Sequence, residues 1–148
     1  MHASLRQLVL AVILLGIVGL EVELALLRHA DSFQQWIRHV ALMIGLLSTS
    51  TVYIRPGAAT LRAFQVIMVI FLVVGALGVY LHFIGNVEFA RERDPSLSGG
   101  ALVWKALRGA TPALAPGALA QLGLLGLLYS YRHPALSAGS IQNNQNVD

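Results

Sequence analysis

Four stretches without a charged side chain constrain this chain more than any other feature. They cover residues 7–20, 40–54, 63–87 and 109–131, and the last two are 25 and 23 residues long. An α-helix needs about 20 mostly apolar residues to cross the hydrocarbon core of a bilayer. Backbone groups in lipid must be satisfied internally, and none of these runs alternates in the manner of a barrel strand. The runs therefore predict membrane-spanning helices.

The composition excludes several other classes of protein. Of the 148 residues, 56% are apolar and only 11% are charged, whereas a soluble domain carries about 25% charged residues. So few charged residues would not cover the surface of a soluble monomer. Intrinsic disorder is also excluded, because disordered chains are polar and charged. The absence of cysteine excludes disulfides, thiolate metal sites and cysteine nucleophiles. A net charge of +3 without a Lys/Arg run gives no support for nucleic-acid binding.

We predict an all-α integral membrane protein, an up-down bundle of four transmembrane helices. The spans are expected near residues 5–27, 37–54, 61–84 and 111–131, within a single domain 1–136, and residues 137–148 are expected to form a polar, disordered tail. Four spans put both termini on one side. We expect that side to be the cytoplasmic side of a bacterial inner membrane, because its charged residues are purely basic and flank the helices closely: Arg6, Arg55, Arg62 and Arg132. A bare Lys/Arg count, six against four, favours the opposite orientation.

The third loop, residues 85–110, carries the pattern of a short helix. Ser98 suits an N-cap and Gly109 suits the position after the last turn. Between them an apolar face is expected to consist of Leu102, Val103, Ala106 and Leu107. We predict a short interfacial helix that lies flat and covers the neighbouring polar end of the bundle. The alternative is an upright extension of the fourth transmembrane helix.

Placing an ionisable side chain in the hydrocarbon core costs free energy, so such a residue in a predicted span indicates a specific role. The candidates are Glu23, His39 and His82, with Glu21, His29 and Glu88 on the same side of the membrane. Two helices share a spacing of two glycines and one ionisable residue, as Gly16-x2-Gly19-x3-Glu23 and Gly75-x2-Gly78-x3-His82. Because glycine lets helices approach closely in lipid, we expect helices one and three to pack together and Glu23 to meet His82.

A carboxylate and imidazoles could hold a transition-metal ion such as Zn, Fe, Cu or Mn, or could relay protons. They could also only hydrogen-bond within the bundle. The main hypothesis is a binding or accessory protein in the lipid bilayer with a cation or proton site at Glu23, His39 and His82. One alternative is a structural subunit of a larger membrane complex or a homo-oligomer; another is a redox protein with haem b between His39 and His82. No hydrolase, zincin or dinucleotide motif is present, so we do not expect an enzyme. His133, at the other end, is expected to be inert.

Overall fold

The computed structural model of the protein describes residues 3–26, 33–109 and 114–136. Within these ranges 89% of the residues are helical and there are no strands, which confirms the all-α prediction. The five helices are α1 (Ala3–Leu26), α2 (Phe33–Ile54), α3 (Ala58–Arg93), α4 (Gly99–Leu107) and α5 (Leu114–Ser130). The predicted tail, residues 137–148, lies outside the described residues.

The four long helices contact one another in a ring. Helix α1 packs against α2 and α5, and α3 packs against α2 and, most extensively, against α5. In their described parts the backbones of α1 and α3 do not approach each other closely. The prediction that helices one and three are neighbours is therefore wrong, because α5 lies between them.

The centre of the ring is filled by large apolar side chains at helical spacing. On α1 every third or fourth residue from Leu10 to Leu20 is buried, and on α3 the same holds from Leu61 to Phe71. Phe64 meets the ring of Tyr129 on α5 edge-on, with centroids 5.8 Å apart. The i, i+3, i+4 spacing puts these side chains on one stripe of each helix, so that a single core forms where the stripes meet.

Helix α3 is longer than the sequence predicts. Its 36 residues rise about 54 Å, well beyond the predicted span at 61–84, and the polar residues expected to open a loop form its last turns. Those residues remain helical because α4 packs along them and buries Asn86 and Ala90. The helix ends at Arg93 because Asp94 precedes Pro95 and takes an extended conformation. The Ser96 hydroxyl and backbone N–H both donate to the Asp94 carboxylate and hold its pKa below the usual value.

The predicted short helix exists as α4, with Ser98 at its N-cap. Of the four residues expected on its apolar face, Leu102 and Ala106 are buried, whereas Val103 and Leu107 are exposed. The chain turns back after Asp94, so that Gly109 lies against the side chain of Asn86. Among the described helices α4 contacts only α3. It therefore runs along α3, and it does not contact α1 or α2, which carry Glu21, Glu23 and His39 at the polar end that it was predicted to cover.

Helices form at all four predicted spans, but they differ in length and apolarity. Among the described residues, two segments are long and apolar enough to cross a membrane, Leu5–Leu26 and Ala58–Arg93. Helix α2 carries more polar residues, and the described apolar part of α5, Pro116–Ser130, is shorter. Only 22% of the most apolar window of the first segment and 17% of the second are buried within the protein.

Candidate functional site

The structure joins two of the predicted ionisable residues, and they are Glu21 and His39. The Glu21 Oε1 atom lies 2.6 Å from the His39 Nδ1 atom. Each side chain continues the buried stripe of its own helix, since Glu21 follows Ile17 by one turn and His39 precedes Leu42 by three residues. Because α1 packs against α2, these stripes face each other and bring the carboxylate to the imidazole.

The Glu21–His39 pair is largely shielded from solvent, and the residues around it are mainly apolar. The His39 side chain is 15% exposed and the Glu21 side chain 31%. A cavity of about 190 Å³ lies beside Glu21, and its other lining residues are all apolar: Ile17, Val18, Val22, Leu42, Met43 and Leu46. The Trp36 ring stands next to the imidazole, with centroids 6.1 Å apart. The second carboxylate oxygen of Glu21, Oε2, is buried and has no hydrogen-bond partner among the described residues.

The predicted pair of Glu23 and His82 is not brought together. Three of the four glycines that were expected to join their helices lie against α5 instead. A methyl group on Gly75 would lie 2.5 Å from the Ala120 backbone nitrogen, and one on Gly78 would lie 2.7 Å from Pro116. On α1, Gly16 faces Leu122 of α5 and Gly19 faces open space. The glycine stripes do serve close helix packing, but the partner is a different helix.

The remaining candidates lie apart from the pair. Glu23 and Glu88 are exposed, His82 is half-buried, and His29 lies outside the described residues. From Ile54 back to His39, α2 rises about 22 Å, whereas from Ala58 to His82, α3 rises about 36 Å. The two histidines are thus offset by about 13 Å along neighbouring helices. Such an offset does not favour a haem group held between His39 and His82.

Metal ligation in proteins takes at least three side chains in most closed sites. Among the described residues no group of three or more His, Cys, Asp or Glu side chains could hold a metal ion. The site predicted at Glu23, His39 and His82 therefore stays a prediction, and only the Glu21–His39 contact is present in the described structure.

A second polar cluster, at the opposite end of the bundle, was missed by the sequence reasoning. Arg132 follows the end of α5 and has a left-handed backbone conformation, with a φ of 47°. Arg6 of α1 donates a hydrogen bond from Nη2 to the Arg132 carbonyl oxygen, at 3.1 Å. Next to it His133 is buried. Its Nε2 atom is 3.4 Å from the Tyr129 hydroxyl.

The hydrogen bonds of His133 require a neutral ring. The Ala135 backbone N–H donates to His133 Nδ1 at 3.2 Å, so Nδ1 carries a lone pair and the ring proton sits on Nε2. Burial lowers the pKa of His133 below its ordinary value, and the positive charge of Arg6 lowers it further. His133 is therefore a buried neutral histidine, and its expected inertness stays a prediction.

The lowered pKa predicts how stability depends on pH. Below the ordinary histidine pKa of about 6.5, the unfolded chain takes up a proton at this position before the folded protein does. Acidification from pH 7.5 to 5.5 is thus expected to reduce the free energy of unfolding. His133→Asn, which keeps an acceptor for the Ala135 N–H but cannot titrate, should lose less stability over that range. Thermal unfolding in detergent at several pH values measures the difference, and equal slopes for the two proteins would refute it.

The comparisons with known proteins identify no relative of this chain. No family model matches it, no curated protein matches it, and no solved structure matches it. Functional inference therefore depends on the residues and their geometry.

Proposed function

We propose that the protein is a small integral membrane protein whose helices α1, α2, α3 and α5 all cross the bilayer. The distribution of apolar side chains supports this proposal. Leu15 is 73% exposed and Leu26 78%, and large aliphatic side chains along α3, such as Val66, Val73 and Leu77, are also exposed. A soluble monomer rarely exposes apolar surface so continuously. Apolar surface both inside the ring and outside it suits a protein surrounded by lipid.

The less apolar helix α2 is compatible with this arrangement because two of its threonine hydroxyls are satisfied within the helix. Thr49 Oγ1 donates to the Gly45 carbonyl and Thr51 Oγ1 to the Leu47 carbonyl, both at 2.7 Å. Such bonds to the preceding turn lower the cost of a hydroxyl group in lipid. With 22 residues, α2 is about 33 Å long, which matches the hydrocarbon thickness of about 30 Å.

Within this bundle we propose that Glu21 and His39 form a proton-binding site and that the protein is a binding or accessory protein rather than an enzyme. The observation that carries the proposal is the 2.6 Å contact between Glu21 Oε1 and His39 Nδ1. A short carboxylate–imidazole contact holds one proton between two bases. The apolar walls of the adjacent cavity disfavour an unpaired charge, so each of the two groups depends on the other as its polar partner.

The geometry favours a proton over a metal ion as the bound species. A proton needs only the two groups that are in contact, whereas a metal ion would need ligands beyond them. The Oε2 atom of Glu21, which has no hydrogen-bond partner among the described residues, offers one further acceptor, which a second proton or a water molecule could use. The two residues that the fold brings into contact are therefore sufficient to bind a proton.

Infrared difference spectroscopy on the purified protein in lipid nanodiscs tests this proposal. Stepping the pH downwards is expected to produce a protonated-carboxyl C=O band that disappears in Glu21→Gln and shifts in His39→Gln, because the imidazole is the hydrogen-bond partner of that carboxyl group. Glu23→Gln is the matched control: it removes an exposed carboxylate two residues away on the same helix, and it should leave the shielded band unchanged.

Other outcomes would contradict the proton site. If Glu23→Gln removes the band and Glu21→Gln does not, the pair is assigned to the wrong residue. If cobalt(II) titrated into the protein gives a ligand-field spectrum that both His39→Ala and His82→Ala abolish, the predicted metal site is correct instead. A Soret absorption band in the protein as purified would favour the haem alternative.

A further inference from the structure

A cleft of about 370 Å³ opens at the end of the bundle opposite the Glu21–His39 pair. It lies where α1 begins, α2 ends and α5 ends, and its lining combines polar and apolar residues: Arg6, Gln7, Leu10, Val52, Tyr53, Pro56, Tyr129 and His133. Three helices that are far apart in sequence thus contribute to one cavity. Its distance from Glu21 is about 22 Å along α1, since 15 residues separate Arg6 from Glu21.

The guanidinium group of Arg6 is only partly satisfied in this cleft. Its Nη2 atom donates to the Arg132 carbonyl, whereas its Nη1 atom is buried and has no acceptor among the described residues. A buried donor without an acceptor is unfavourable. The planar fork of an arginine matches the oxygens of a phosphate group. The fold therefore holds Arg6 in place, and within the part of the chain that the structure describes one of its donors is left for a ligand.

The described side chains that line the cleft carry charge of one sign only, since none of them is Asp or Glu. The turn between α2 and α3 carries Arg55, and Arg132 follows the last residue of α5 at the same end of the bundle. A concentration of positive charge without a carboxylate attracts an anion, and it would do so most strongly at a membrane surface rich in acidic lipid.

The shape of the lining distinguishes a lipid from a free anion. Leu10 and Val52 are buried apolar residues deeper in the bundle, while Tyr53 is an exposed aromatic residue at the end of α2. Tyrosine at this level is typical of the boundary between hydrocarbon and headgroups. A ligand with a charged head and an apolar chain would contact both parts of the lining, whereas inorganic phosphate would use only the polar part.

We propose that this cleft binds an anionic phospholipid, with the phosphate group at Arg6 Nη1 and the upper part of an acyl chain along Leu10 and Val52. The Tyr53 hydroxyl and the Tyr129–His133 pair line the polar side of the same site. The proposal rests on membrane insertion but not on the proton site, because the two sites are at opposite ends of the bundle.

Native mass spectrometry of the full chain in a neutral detergent tests the proposal by titration with phosphatidylglycerol. Arg6→Gln is expected to weaken binding by about tenfold or more, since it removes a charge-assisted hydrogen bond. Arg62→Gln is the matched control: it removes an exposed arginine at the same end of the bundle that does not line the cleft, and it should change binding by less than about threefold. Tyr53→Phe removes one hydroxyl group from an exposed side chain without threatening the fold, and it is expected to weaken binding by about threefold.

Three results would overturn the proposal. Equal losses in Arg6→Gln and Arg62→Gln would indicate attraction by general charge and not a site. Unchanged binding in both Arg6→Gln and Tyr53→Phe would place the lipid elsewhere. Displacement of the lipid by millimolar inorganic phosphate, with equal affinity for phosphate alone, would identify a free-anion site in place of a lipid site.

Discussion

Gly75→Ala is expected to lower the free energy of unfolding by about 1–3 kcal/mol. A methyl group at this position would lie 2.5 Å from the backbone nitrogen of Ala120 and 2.6 Å from the carbonyl oxygen of Pro116. Both atoms belong to the backbone of α5, so no side chain can rotate to make room and the two helices must separate. The α3–α5 contact is the most extensive in the fold, and a separation there would disturb the packing along both helices. Denaturation in mixed micelles measures the loss.

Gly85→Ala is the matched control, because it makes the same substitution in the same helix. Nothing lies within 4 Å of the position that the new methyl group would occupy. Alanine has a higher helix propensity than glycine by up to about 1 kcal/mol, so this variant should be as stable as the wild type or slightly more stable. Two variants that lose stability equally would refute the close approach of α3 and α5 at Gly75.

The second large effect is expected from a double-mutant cycle on Glu21 and His39. Each single substitution to alanine leaves its partner without the 2.6 Å contact, at a cost of about 1–3 kcal/mol. The double variant should lose less than the sum of the two single losses, with a coupling energy of at least about 1 kcal/mol. Thermal or denaturant unfolding in detergent provides the four free energies of unfolding.

A parallel cycle on Glu23 and His82 provides the comparison. The two residues lie on α1 and α3, whose backbones do not approach each other closely in their described parts, so their effects should add to within about 0.5 kcal/mol. Strong coupling between Glu23 and His82, together with additive effects at Glu21 and His39, would mean that α1 is rotated relative to the arrangement described above.

The long uncharged runs of the sequence were sufficient to predict helices in all four places, because helix formation is local and a run of apolar residues limits the chain to few alternatives. Local sequence signals also predicted α4, because Ser98 is a typical residue for the start of a helix and Gly109 for its end. They also identified the glycines as sites of close packing. They failed at the end of α3, where burial by α4 keeps a charged segment helical although the composition alone suggests a loop.

The choice of partners, in contrast, was decided only by the tertiary structure. Glu21 and Glu23 are separated by about 200° around α1, so only one of them can face α2, and the sequence does not show which face that is. Arg6 and Arg132 are 126 residues apart in sequence, and no local pattern links them. The sequence by itself determined which segments are helices and which polar residues they carry. The tertiary structure alone decided which faces meet, because the order of the helices around the ring depends on the packing of all four at once.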